Sequence, residues 1–127
     1  MNIFNYIKDK VDYREIFGAY SIPYEEYGNE KFMYKAICPF EGCKDKKKSF
    51  SVATESKMFY CLNCYSCGDV SDFVSKLENK TPIDAIRKLI SYYHDWKTKE
   101  PLKIPKEYEE WSREKFGNHF VDSYIVK

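Results

Sequence analysis

No apolar run in the 127 residues approaches the length of a membrane span, and the N-terminus MNIFNYIKDKVDYREIF is broken by charges throughout, so it is not a signal peptide. That absence points to a reducing cytoplasm. A charge excess is missing too. Lys and Arg number 21 against 20 Asp and Glu, a net +1, so any attraction to a polyanion must come from a local patch and not from the global field. There is no internal repeat and no low-complexity tract. There is no catalytic constellation either. His94 and His119 stand alone without partner spacing, and of Asp69 and Asp72, which could be mistaken for catalytic carboxylates, Asp69 follows a glycine and reads as a helix N-cap. Five cysteines are an odd count, which argues against a closed disulfide framework. In a cytosolic chain, clustered cysteines hold metal or do redox chemistry.

What is present runs in the order helix, strands, helices, tail. VDYREIFGAY spaces Val11, Ile16, Phe17 and Tyr20 for a short helix after Met1–Lys8. KFMYKAICPF is a β-prone stretch entering a turn, and SFSVATESKMFYC reads as a hairpin with ATESK turning between its strands. Val70, Phe73, Val74 and Leu77 share one face of a helix. Thr81, Pro82 and Asp84 open the next helix, with Ile83, Ile86, Leu89 and Ile90 as its apolar stripe. From Lys97 the composition shifts. KTKEPLKIPK reads as a linker, KEYEEWSREKFG as a helix ending at Gly117, and NHFVDSYIVK as a terminal strand. Trp96 and Trp111 pack or dock a partner. The fold class expected is α+β, with residues 1–96 as one domain and 97–127 as a linker plus appendage.

The cysteines carry the sharpest signal. Cys38 and Cys43 form a C-x4-C, and Cys61 and Cys64 form a C-x2-C, with the hairpin between them. Two thiolate pairs on tight turns brought together by strand pairing make a zinc ribbon, and four soft sulfurs close a tetrahedron around Zn²⁺ with no water. A thioredoxin-like redox pair sits in a βαβ context that this chain lacks. Cys67 complicates the second pair. Spacing alone leaves Cys61/Cys64 and Cys64/Cys67 both open.

CPF stands at Cys38–Phe40, SFSV at Ser49–Val52, FYCLNC at Phe59–Cys64, GDVSDFV at Gly68–Val74 and AIRKL at Ala85–Leu89. In these motifs the chain resembles the N-terminal zinc-binding domain of bacterial and phage DnaG-type primases, and AIRKL falls where that family has its second helix. The likeness covers about residues 3–93. It implies a small zinc ribbon, an antiparallel sheet with two Cys knuckles flanked by helices, holding one structural Zn²⁺. The family's histidine position is Glu41 here, and Cys43 follows in a longer loop, which reads as a ligand swap. The family register then selects Cys38, Cys43, Cys61 and Cys64, and leaves Cys67 as a non-ligand.

The resemblance further implies recognition of a single-stranded DNA template. KDKKK, Lys44–Lys48, is the densest positive run, and Lys35 and Lys57 flank the strands. Lysines neutralise phosphates while an aromatic face stacks on an unpaired base. Phe50 and Phe59 are expected inside, Tyr34 and Tyr60 at the surface. The residues nominated for DNA are Lys35, Lys47, Lys48, Lys57 and Tyr60. Primase chemistry in the family resides in a following Toprim domain, which this length does not accommodate, so the chain is expected to be non-catalytic and to serve a primase, polymerase or helicase partner. The ending reads as native, which points to a complete small protein of a phage or mobile element. The competing reading is a protein-interaction adaptor, or an inhibitor of a host primase. In the adaptor the tail Pro101–Lys127 would act, with Tyr108 and Trp111 as anchors.

Overall fold

The computed structural model describes residues 2–95 and 97–120. Two short helices open the chain, α1 (Ile3–Lys10) and α2 (Tyr13–Ala19). The side chain of Asn2 caps α1 and that of Asp12 caps α2, each accepting from a backbone N–H two residues on. The helix expected from Val11 therefore starts two residues later. Val11 ends α1, and Asp12 takes the extended conformation that an N-cap requires. Ile3 and Ile7 of α1, and Tyr13, Ile16 and Phe17 of α2, face the core.

Five strands follow in one antiparallel sheet whose spatial order matches chain order: β1 (Glu25–Glu26), β2 (Phe32–Ala36), β3 (Phe50–Ala53), β4 (Phe59–Cys61) and β5 (Cys67–Gly68). Alternation sorts the side chains. Phe50, Val52 and Phe59 point into the core, where the two phenylalanines meet Phe17, Phe40 and Phe73 at ring separations of 5.3 to 6.4 Å. Burying Phe59 leaves its neighbour Tyr60 on the opposite face.

Gly68 links β5 to α3 (Val70–Glu78). Asp69 accepts from the Ser71 and Asp72 amides, and the Asp72 carboxylate returns to the Asp69 N–H, a reciprocal capping box. This closure needs the glycine. Gly68 has φ 154°, and a Cβ there would lie 2.5 Å from Asp72. Thr81 caps α4 (Pro82–Tyr92), with Pro82 in its first turn. α3 meets the sheet's inner face through Phe73, which packs on Phe50 and Phe59, and α4 packs on α3 and α1 with Ile86 and Leu89 buried.

Two expectations need correction. Tyr34 is not a surface residue. It is 5% exposed, its hydroxyl donates to Asp12 (2.7 Å), and Phe17 and Tyr24 enclose its ring, because α2 lies across that end of the sheet. Asn118–Phe120 are helical and not the start of a strand; the rest of that stretch, Val121–Lys127, and Trp96 lie outside the described residues. The stretch read as a linker is also tied down. His94 bridges to Pro101, the Tyr6 hydroxyl donates to the Lys103 carbonyl (2.9 Å), and Leu102 and Ile104 pack on the core. α5 (Lys106–Phe116) then lies on α1 through Tyr6 with Tyr108 (4.7 Å) and Phe4 with Phe116 (6.1 Å). Trp111 packs edge-on against Phe116.

Candidate metal centre and strand face

The first turn follows β2, where the Cys43 amide donates to the Phe40 carbonyl (3.1 Å). The second is the tight β4–β5 turn, closed by the Cys61 amide on Ser66 (2.9 Å) and the Tyr65 amide on Cys61 (2.8 Å). Pairing of β3 with both β2 and β4 sets Ala36, Phe50 and Cys61 in one row and brings the two turns together.

The sulfurs of Cys38, Cys43, Cys61 and Cys64 all lie within 4.8 Å of one another. Cys38 and Cys64 are 3.9 Å apart and Cys43 and Cys61 3.8 Å. A tetrahedron with Zn–S bonds of about 2.3 Å has edges of about 3.8 Å, so the arrangement has the size that zinc requires. The surroundings suit thiolates. The Asn63 and Cys64 amides point at the Cys61 sulfur (3.3 and 3.5 Å), the Asn63 side-chain amide donates to Cys43 (3.2 Å), and the Ser66 hydroxyl lies 3.2 Å from Cys64. Burial pushes the Cys38 and Cys61 thiols up. At Cys64 burial also acts upward, but hydrogen bonding with Ser66, Cys61 and Cys43 together outweighs it and brings the thiol to about 6. Cys67 is outside this cluster. It lies exposed on β5, directly opposite Tyr60. Glu41 is exposed and outside it as well.

One residue at the centre was hidden inside the lysine run. Asp45, 8% exposed, accepts three backbone N–H groups: Cys38 (3.0 Å) and Ser49 (2.8 Å) on Oδ2, and Lys47 (3.0 Å) on Oδ1. Burial acts to raise its pKa, but the three donors outweigh burial and hold it at about 2. Its carboxylate ties the loop's two ends together. A polar Asp between lysines gives no hint of this, because its donors are backbone N–H groups that every residue but proline carries.

The nominated DNA residues are distributed unevenly. Glu25, Lys35, Ser51, Tyr60 and Cys67 are successive cross-strand partners, so they form one row across the sheet's outer face. Tyr60 is 39% exposed there. The Lys35 ammonium rests over the rings of Tyr27 (4.9 Å) and Phe32 (4.7 Å), two aromatics that sequence reasoning passed over. Lys47 is exposed on the loop before β3, and Lys48 beside it is ion-paired with Glu25. Lys57 is not brought to this row. It sits in the β3–β4 turn, 3.9 Å from Asp9 of α1, with its carbonyl accepting from Tyr13.

The family model of the DnaG zinc ribbon, described as the CHC2 zinc finger, matches residues 1–102. The chain belongs to this family. The relatives it is similar to include DNA primases. The Deinococcus radiodurans primase is 44% identical over 55 residues, which cover 43% of this chain and 9% of the relative. The Thermotoga maritima primase is 31% identical over 115 residues, covering 84% of this chain and 19% of the relative. The crystal structure of the zinc-binding and RNA polymerase domains of the Aquifex aeolicus primase superposes with a TM-score of 0.59 at 25% identity. The match covers 86% of this chain and 25% of that one. The chain thus spans less than a fifth of the length of these two sequence relatives. Family membership and the sulfur geometry agree on one structural zinc. Among the described residues no helix is long and apolar enough to cross a membrane.

Proposed function

We propose that this chain is a primase-type zinc module that binds single-stranded DNA across the outer face of its sheet and supports priming together with a separate catalytic unit in the cytoplasm. Cys38, Cys43, Cys61 and Cys64 ligate the zinc. Four thiolates leave no open coordination position, so the metal supplies stability and rigid turns and takes no part in a reaction. The observation that carries the DNA reading is the row Lys35–Ser51–Tyr60, which sets an ammonium and an exposed ring on one flat surface beside the lysine loop. Lysines there take phosphates, and Tyr60 offers a ring face to an unpaired base. The adaptor reading is weakened by α5, whose Tyr108 and Phe116 are engaged by Tyr6 and Phe4 within the chain. The test is fluorescence anisotropy of the zinc-loaded protein with single-stranded and duplex oligonucleotides over a salt series. Salt-sensitive binding with preference for single strands is expected. Absence of binding at low salt would refute the reading.

A further inference from the structure

β1 pairs with β2 only at Lys35 and Tyr34, so the end of β2 beyond Lys35 runs beside the segment 21–25 without a strand partner on that edge. Between them lies a groove of about 550 Å³, with mostly apolar walls from Ile22, Tyr24 and Ile37. That volume lies within the range of small-molecule sites. Ile37 is 49% exposed although its neighbours Ala36 and Cys38 are buried. Tyr24 is a rigid wall, tilted against Phe17 (4.8 Å) and edge-on to Tyr34 (5.6 Å).

Lys35 and Lys48 both line its mouth; the Lys48 ammonium meets Glu25 there, while the Lys35 ammonium rests over Tyr27 and Phe32. Lys48 has a left-handed backbone, φ 56°, imposed by Asp45, which binds the amides on either side of it. Glu25 sits between the two lysines, ion-paired with Lys48 and the cross-strand partner of Lys35.

We propose that this groove is a subsite for one unpaired nucleobase, and that Glu25 occupies the place a phosphate of the same strand takes on binding. The inference rests on the single-strand reading above and adds a base site to it. An apolar slot with the Lys48 ammonium at its mouth matches a base with its flanking phosphate, whereas an apolar peptide offers no group to take the place of Glu25 on that ammonium. Lys35 joins the groove to the Tyr60 row, so one strand reaches both. In the free protein Glu25 offsets the lysines, and a phosphate competes with its carboxylate for the same ammonium.

The experiment uses the full zinc-loaded chain and two labelled 12-nucleotide probes with identical phosphates, oligothymidine and its fully abasic counterpart. The wild type, Ile37→Ser and Glu25→Gln are compared by anisotropy after zinc content and melting temperature are matched. Ile37→Ser is expected to weaken oligothymidine binding about five-fold, a part of one stacked base, with abasic binding unmoved. Glu25→Gln is expected to tighten both probes about three-fold and steepen the salt slope by about 0.7. If wild type binds in a salt-dependent manner and Ile37→Ser changes neither probe, the subsite is wrong and the strand-face reading stands. Equal weakening of both probes by Ile37→Ser, or unchanged binding by Glu25→Gln, also overturns it. Failure of wild type to bind either probe overturns the strand-face reading itself.

Discussion

Asp45→Asn leaves the size of the side chain unchanged and removes its charge, so it isolates what one carboxylate does for the first metal turn. Asn has a single acceptor oxygen. Placed at Oδ2, it keeps the Cys38 and Ser49 amides but turns an NH₂ group against the Lys47 N–H, 3.0 Å away in the wild type. One charge-assisted bond is lost, about 1.5–3 kcal/mol, and the two that remain become neutral and weaker. The carboxyl's preference for its charged form gives a consistent scale. Holding the carboxyl at about 2 against a reference of 3.8 corresponds to about 2 kcal/mol of preference for the charged form in the fold. Because the folded pKa is depressed, this contribution is present above about pH 4 and is lost as pH falls towards 2. Thiolate protonation would release zinc before that range is reached, so the variant is compared at pH 7. Urea unfolding of the zinc-loaded protein should show a loss of about 3 kcal/mol. Competition with a chromophoric chelator should show zinc affinity falling about ten-fold or more, since the Cys38 amide is oriented by this carboxylate. A loss below about 0.5 kcal/mol with unchanged zinc affinity, the range of ordinary surface substitutions, would refute the account.

Cys61→Ser should lose zinc and unfold, whereas Cys67→Ser should retain one equivalent; metal content with circular dichroism decides, and a folded, loaded Cys61→Ser would reassign the ligands. Gly68→Ala drives a Cβ against Asp72 and breaks the capping box. It should destabilise by about 2 kcal/mol or more, seen as a lower urea midpoint at unchanged slope. Phe116→Ala should free α5 from α1 while leaving the zinc bound, read as faster proteolysis between Asp95 and Lys106.

Features set by near neighbours were legible before the fold was known. The caps at Asp69 and Thr81, the Phe50 to Cys61 hairpin and the apolar stripes of α3 and α4 each depend on residues a few positions apart, where backbone periodicity alone decides the geometry. The same holds for the spacing within each cysteine pair. Placement between elements was not legible. Cys67 leaves the cluster because β5 pairs it with Tyr60, and directly opposed residues share a face, so it points outward with the tyrosine. Tyr34 is covered by α2, a contact 17 residues away in sequence at Phe17, and no local pattern announces it. Lys57 turns to Asp9 of α1 for the same kind of reason.

Asp45 is the sharpest case. In the chain it is one acid among lysines. In the fold the return of β3 beside β2 brings the Cys38 and Ser49 amides to one oxygen, and the acid becomes the buried acceptor of the metal loop. The docking of α5 on α1 likewise needed the tertiary arrangement, since two aromatic pairs about 100 residues apart must meet. The helix caps and the alternation of the strands follow from the chain alone, as consequences of short-range backbone geometry, while its spacing left two choices for the second cysteine pair. Only the tertiary structure decided which sulfurs converge, which tyrosines face solvent and where the lysines gather, because those depend on burial against distant elements.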